Sequence, residues 1–451
     1  MNSVHKVASL SLFTLAWPIF LEQFLRLMIS YIDVFMLGHY SDDAVAATGV
    51  ANQILVISII IYGFISVGVQ IIVAQMIGAQ MIGAKKHKEI ENVITNGLVV
   101  AFLIGIVMSI IFIFMSKNFL TWMGIDPHLV QVGAPFLEII GGSSVVIAIH
   151  ASILPILRAH GYVRQSIIVP VTISIINVVG NYLFLYGPLA YLDYGVAGVG
   201  ISTAVANFVG MGLAIWMLRK YIGYTFHFKK LEQVSKKLLY SILRLGLPSA
   251  GENLSYAGSQ LVVTAIIAIL GTEALTTKVY ASTVSQFVAL FAIALGQASQ
   301  IIIGRAVGAK EIDKAYKQGL RSWKIGLVVA IVVSVSIYLF AEPIMRLFTT
   351  NTEIIAMTKE LFLLSIFLEL GRATNIIIIS SLNSTGDVRF PFICGLIVMW
   401  IVSLPFSYVL GISAGLGLVG VWLAYIIDEG IRAVLMYRRW RSKVWSLKSV
   451  I

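Results

Sequence analysis

Three ionisable side chains interrupt the otherwise apolar run LFTLAWPIFLEQFLRLMISYIDVFML (12–37): Glu22, Arg26 and Asp33. At about 100° per residue, Arg26 lies roughly 40° and Asp33 roughly 20° around a helix from Glu22, so all three share one face. Asp33 stands about 16 Å further along the axis. Charged groups in hydrocarbon cost several kcal/mol unless they meet a partner or a polar cavity, so this face should line an interior. Arg26, one turn from Glu22, is its simplest ion-pair partner. Asp33 is left as a carboxylate able to hold a proton, a sodium ion or an organic cation, but not two of them at once. That exclusion is what exchange transport requires. A structural hydrogen bond from the first helix to a neighbour is the alternative role.

Asn177 and Asn181 are four apart and face the same way on a helix. Amides ligate sodium and hydrogen-bond carboxylates, and Thr203 would complete an oxygen cluster with Asp33 and Asn177. The same residues serve equally as glue between helices. Glu369 and Arg372 are three apart and can pair locally. Asp428, Glu429 and Arg432 read as an ion-pair network, and His150 as a buried core histidine. Phe24, Met28, Tyr31, Met36, Phe64 and Phe287 could line an adaptable cavity, although packing accounts for each.

The elements that must position these groups are set by composition. Of 451 residues, 59% are apolar and only 12% charged, with mean hydropathy +0.93, far from soluble composition. Twelve apolar windows long enough to cross about 30 Å of hydrocarbon recur: 11–37, 50–79, 93–116, 133–157, 165–187, 196–218, 246–270, 279–308, 322–341, 354–382, 390–411 and 417–437. The first is too long, and too interrupted by Pro18, Glu22 and Arg26, for a cleaved signal peptide.

The net charge of +11 sits in alternate loops. KKHK (85–88), 158–164, 219–237, 310–321, Arg389 and RRWRSK (438–443) lie on one side. HYSDD (39–43), IDPH (125–128), Asp193, 271–278, 342–353 and 411–415 lie on the other. By the positive-inside rule both termini are cytoplasmic in a plasma-membrane protein, and the basic excess marks topology rather than nucleic-acid binding. A single cysteine, Cys394, excludes an intrachain disulfide and a thiolate cluster.

Gln75–Ala79 and Gln80–Ala84 both read QMIGA. Around them GVQIIVAQMIGA (68–79) parallels ASQIIIGRAVGA (298–309), with Gln70, Gly78 and Ala79 matching Gln300, Gly308 and Ala309 at an offset of 230. The same offset pairs Pro18 with Pro248 and Glu22 with Glu252. Downstream it falls to 222, where KEIENVITNGL (88–98) parallels KEIDKAYKQGL (310–320) and GVAGVG (195–200) parallels GLVGVW (417–422). LRAHGYVR (157–164) also matches LNSTGDVR (382–389). These matches, in one order, define an internal repeat. The second QMIGA is most of an eight-residue insertion lengthening the second helix or the loop after it. Two six-helix repeats run in one direction and place a cavity between bundles: residues 1–218, a cytoplasmic linker 219–240, and 241–451 with a basic tail. Helix 7 offers no carboxylate near Val263–Ile266, the place matching Asp33, so the repeat does not account for that residue.

WP (17–18), YIDVFMLGHYS (31–41), LRAHG (157–161), NVVGNYLFLYG (177–187), LPSAGENL (247–254), SLNSTGDVRFP (381–391) and GLVGVWLAYIIDEGIR (417–432) together resemble the multidrug and toxic compound extrusion (MATE) family. The resemblance covers all twelve windows. It implies an all-α integral membrane protein whose two bundles form a V around a central cavity. It also implies export of bulky, often cationic organic compounds in exchange for sodium ions or protons, with no cofactor beyond that ion. A monomer in the bilayer is expected. In NorM-like members the glutamate matching Glu252 is tied to cation coupling, and an aspartate stands near the place of Arg372. Here Glu369 would have to substitute, with Glu252 and Tyr256, or the group is a structural latch. In DinF-like archaeal members the position of Asn181 is an aspartate that cooperates with the one matching Asp33, so a two-carboxylate relay is not expected here.

Two other functions are weighed. Relatives with a similar fold flip lipid-linked saccharides, but intramembrane carboxylates outnumber arginines here, which favours cationic substrates. A membrane-embedded enzyme would need a DDxxD-type or HExxH cluster, and neither occurs.

Overall fold

The computed structural model describes residues 11–81, 87–225 and 234–449. Among these, nine helices are long and apolar enough to cross a membrane, and a pair bent by 48° adds a tenth. In chain order they are α1 (Leu12–Tyr40), α2 (Asp42–Met81), α3 (His87–Trp122), the bent α4 (Pro127–Gly142 with Ser144–Ala159), α5 (Val163–Leu185) and α6 (Gly195–Ile222). After α7 (Lys236–Ile269) come α8 (Thr272–Gly308), α9 (Ile312–Leu339), α10 (Thr352–Thr385), α11 (Arg389–Ser413) and α12 (Gly417–Arg441). α7 and α12 complete the twelve, although their apolar character is diluted. α12 carries Asp428, Glu429 and Arg432, and α7 carries the stretch LPSAGENLSYAGSQ.

The helices overrun the apolar windows at most ends, because polar turns at a bilayer surface are still helical. α1 and α2 are separated by Ser41 alone, so Asp42 and Asp43 sit in the first turn of α2, where the helix dipole favours them. Lys278, expected in a loop, lies inside α8, about 9 Å from its start. Of the second QMIGA, Gln80 and Met81 are helical; the rest of it and Lys85–Lys86 lie outside the described residues.

The chain divides into two compact units. One comprises Trp17–Ala250; the other runs from Gly251 onward and includes Ser11–Ala16. In the first, Phe112, Leu120, Phe136 and Leu137 are fully buried between α3 and α4. In the second, Phe362, Trp422 and Tyr425 join α10 to α12, and Trp440 stacks on Trp445, both wholly enclosed.

Two of the repeated motifs are backbone devices. The glycines of LRAHG and LNSTG, Gly161 and Gly386, end α4 and α10 at φ of 92° and 95°. In each, the next amide reaches back five residues, from Tyr162 to the Leu157 carbonyl (3.0 Å) and from Asp387 to that of Leu382 (3.1 Å). This is the left-handed helix stop that glycine favours. Gly198 of GVAGVG and Gly420 of GLVGVW mark close approaches. A Cβ on Gly198 would stand 2.7 Å from Phe184 Cβ, and one on Gly420 would stand 2.4 Å from the Leu410 carbonyl oxygen.

Because the obstacle at Gly420 is backbone, it cannot rotate away. Gly420→Ala should destabilise the protein by about 1–3 kcal/mol, read as a lowered melting temperature in detergent. Gly212→Ala in α6, where a Cβ meets nothing within 4 Å, should leave that temperature unchanged or slightly raised. Equal melting of the two variants would refute the packing role.

Candidate functional site

In the first unit, α1, α5 and α6 bring together the oxygen-bearing residues singled out above. Gly180, between the two asparagines, permits this, since a Cβ there would lie 2.2 Å from Ser202 Oγ on α6. Asn181 Nδ2 donates to Asp33 Oδ1 at 2.6 Å and, more weakly, to Asn177 Oδ1 at 3.4 Å. Asn177 Nδ2 donates to Thr203 Oγ1 at 2.9 Å, and Ser202 Oγ donates to the Asn177 carbonyl. Asp33, Asn181, Asn177 and Thr203 therefore form one hydrogen-bonded chain.

The chain continues further than the sequence reading took it. Asn207 donates to the Thr203 carbonyl at 2.8 Å, and its Oδ1 meets His150 Nε2 at 3.1 Å. Asn207 stands four residues after Thr203, the same spacing that flagged Asn177 and Asn181. Asn181 is fully buried and its Oδ1 has no hydrogen-bond partner; His150 Nδ1 also has none. Asp33 is half-buried, only its Oδ1 is engaged, and no basic side chain of the described residues pairs with it. The unbonded Asp33 Oδ2 is a carboxylate acceptor suited to a small cation or a proton.

Glu22 is a different case. It is 1% exposed, and its principal partner is Arg158 of the LRAHG motif, with Nη2 2.9 Å from Oε1. Arg26 reaches the same oxygen only at 3.6 Å and is largely exposed, so the pairing expected within α1 is secondary. Sequence proximity favoured Arg26. The signal that could have found Arg158 was its place in a motif at the end of an apolar window.

In the second unit, Arg372 Nη1 donates to Glu369 Oε1 at 2.5 Å, and its Nε lies 3.9 Å from Glu429 of α12. Glu429 also takes Arg432 at 2.8 Å and Asn375 Nδ2 at 2.6 Å, while Arg432 forks onto both oxygens of Asp428 at 3.0 and 3.1 Å. The two groups read separately from sequence thus form one network joining α10 to α12. Glu252 and Tyr256 of α7 lie beside it without joining it by hydrogen bond or ion pair; the Glu252 carboxylate packs near Gly395 of α11. Lys278 donates to Thr264 Oγ1 at 3.0 Å, and Thr264 in turn donates to the Gln260 carbonyl. Thr264 falls in the stretch that matches Asp33 in the repeat, so where the first unit presents an anion the second presents a cation with a hydroxyl partner.

An all-helical, multi-pass chain built as an internal repeat, with a polar chain ending on an unpaired carboxylate, defines a membrane transporter. The MatE family model matches residues 18–183 and 248–409, one stretch in each half of the chain. This protein belongs to the multidrug and toxic compound extrusion family. It is similar to "Uncharacterized transporter YisQ" of Bacillus subtilis, 38% identical over 98% of this chain and 96% of that one. It is also similar to "Probable multidrug resistance protein NorM" of Thermotoga maritima, 25% identical over 98% and 94%. Among solved structures, "MATE in the bent conformation" superposes with a TM-score of 0.89 at 19% identity, covering 99% of this chain and 98% of that one. A Pyrococcus furiosus transporter described as having a binding pocket of reversed polarity gives 0.88 at 18%, covering 97% and 96%.

Removing the Arg158 guanidinium would leave the buried Glu22 carboxylate only its longer contact with the exposed Arg26. Arg158→Met should cost about 3–5 kcal/mol, seen as poor accumulation or early melting, whereas Arg26→Met should change little. Adding Glu22→Gln to Arg158→Met should restore most of the loss; failure of that rescue would show that Arg158 acts elsewhere.

Proposed function

We propose that this MATE-family transporter exports bulky, mainly cationic organic compounds in exchange for protons or sodium ions. Asp33 is the carboxylate at which coupling ion and substrate exclude one another. The observation that carries the reading is the state of this side chain: half-buried, held on Oδ1 by Asn181, open on Oδ2, and without a basic partner among the described residues. Asn181, Asn177 and Thr203 fix its orientation and supply further oxygen ligands suited to sodium. An ammonium or other organic cation meeting the same carboxylate competes with that ion for one negative charge. The names of the NorM relatives support a multidrug cargo. Glu252 is a second carboxylate without an ion-pair partner among the described residues and is assigned a supporting role in cation uptake. Glu22, Glu369 and Arg372 are assigned to structure, because each is committed to a counter-ion. Both termini are placed in the cytoplasm on the distribution of basic loops.

Inverted membrane vesicles, loaded with sodium or acidified inside and given a fluorescent organic cation in the external medium, which bathes the cytoplasmic face, test the assignment. The wild type should transport the dye with one of the two gradients. Asp33→Asn should lose that coupled transport by at least about tenfold, as expected when a charge–charge contact worth above 1.4 kcal/mol is removed. Normal gradient-driven export by Asp33→Asn would overturn the proposal.

A further inference from the structure

The last turn of α12 carries Arg438, Arg439 and Arg441, with Lys443 just beyond it. Two of these four cations are neutralised by carboxylates. Arg439 grips Asp387 with two contacts, 2.8 and 3.3 Å, and Lys443 reaches Asp313 at 2.8 Å. Arg438 and Arg441 have no carboxylate partner among the described residues. Those same two border a groove of about 630 Å³ on the flank of the second unit. Its wall is apolar and aromatic: Val434 of α12 is half exposed, and Trp323 of α9 packs against Tyr437 with ring centroids 4.7 Å apart. The Trp323 indole N–H is already committed to Thr374 Oγ1 at 3.0 Å, so it offers nothing polar to an occupant.

Axial position matters here. Arg438 stands about 32 Å from Gly417 at the opposite end of α12, close to the thickness of a hydrocarbon core. The two guanidiniums therefore lie at headgroup depth and Val434, one turn back, at the top of the acyl chains. Positive-inside placement and the helix dipole account for basic residues at this end. Neither accounts for the division among them, in which the pair facing the groove lacks carboxylates and the pair facing away has them.

We propose that this groove is a binding site for an anionic phospholipid, its phosphate between Arg438 and Arg441 and an acyl chain laid along Val434, Trp323 and Tyr437. Residues three apart on a helix are neighbours, which suits a phosphate shared by two guanidiniums. An amphiphile with an anionic head satisfies both the charge at one end and the apolar wall.

Native mass spectrometry of the full-length protein in detergent, titrated with phosphatidylglycerol, phosphatidylcholine or inorganic phosphate, tests the site. The wild type should retain phosphatidylglycerol in preference to phosphatidylcholine, and excess inorganic phosphate should not displace it. The double variant Arg438→Gln/Arg441→Gln should bind phosphatidylglycerol roughly tenfold or more weakly. Val434→Trp, which fills the groove but keeps both charges, should also weaken it, and this single variant carries the test if the double one does not fold. Equal retention of the two lipids, displacement by inorganic phosphate, or unchanged phosphatidylglycerol binding in the variants would each overturn the proposal.

Discussion

A carboxylate surrounded by hydrocarbon must be neutralised by a counter-ion, a proton or hydrogen-bond donors. Among the described residues, the intramembrane carboxylates differ in how that is done. Glu22 has Arg158, Glu369 has Arg372, and Asp428 and Glu429 share Arg432, so each is tied to a fixed cation on the protein. Asp33 has an amide instead. An amide orients a carboxylate without cancelling its charge, which leaves that charge for something mobile.

The network between α10 and α12 shows the opposite use of buried charge. Gly371 lets α12 approach so closely that a Cβ there would meet Glu429 Cβ at 2.9 Å, and the ion pairs cross at that point. Every member has at least one partner, and Asn375 donates to both the side chain and the carbonyl of Glu429. These contacts join α10 to α12 through charged side chains at their closest approach.

What could be read from sequence follows from the range of each interaction. Helix number and the shared face of Asn177 and Asn181 were legible because apolar windows and four-residue spacings are local, whereas Asn207 and His150 joined the chain only through packing. Asp33 was singled out for another reason: the repeat removes the positions that symmetry explains, and Asp33 has no equivalent carboxylate near Val263–Ile266. Arg158 was not recognised as the partner of Glu22 because the two are 136 residues apart and Arg26 offered a nearer candidate. Lys278 was misplaced because a lysine near a window edge reads as the start of a loop, whereas α8 begins at Thr272 and encloses it. The link between Arg372 and Glu429 was hidden for the same reason as the first, since helices distant in sequence are joined only by packing.

The run of carboxamides behind Asp33 has a consequence for traffic. A hydroxyl or an imidazole can accept a proton on one side while releasing another, but an amide at neutral pH cannot, and Asn181 and Asn177 stand between Asp33 and His150. The chain is a blind alley rather than a wire. Under the proposed assignment, a cation at Asp33 would arrive and depart on the unbonded Oδ2 side, so that entry, exit and competition would share a single doorway.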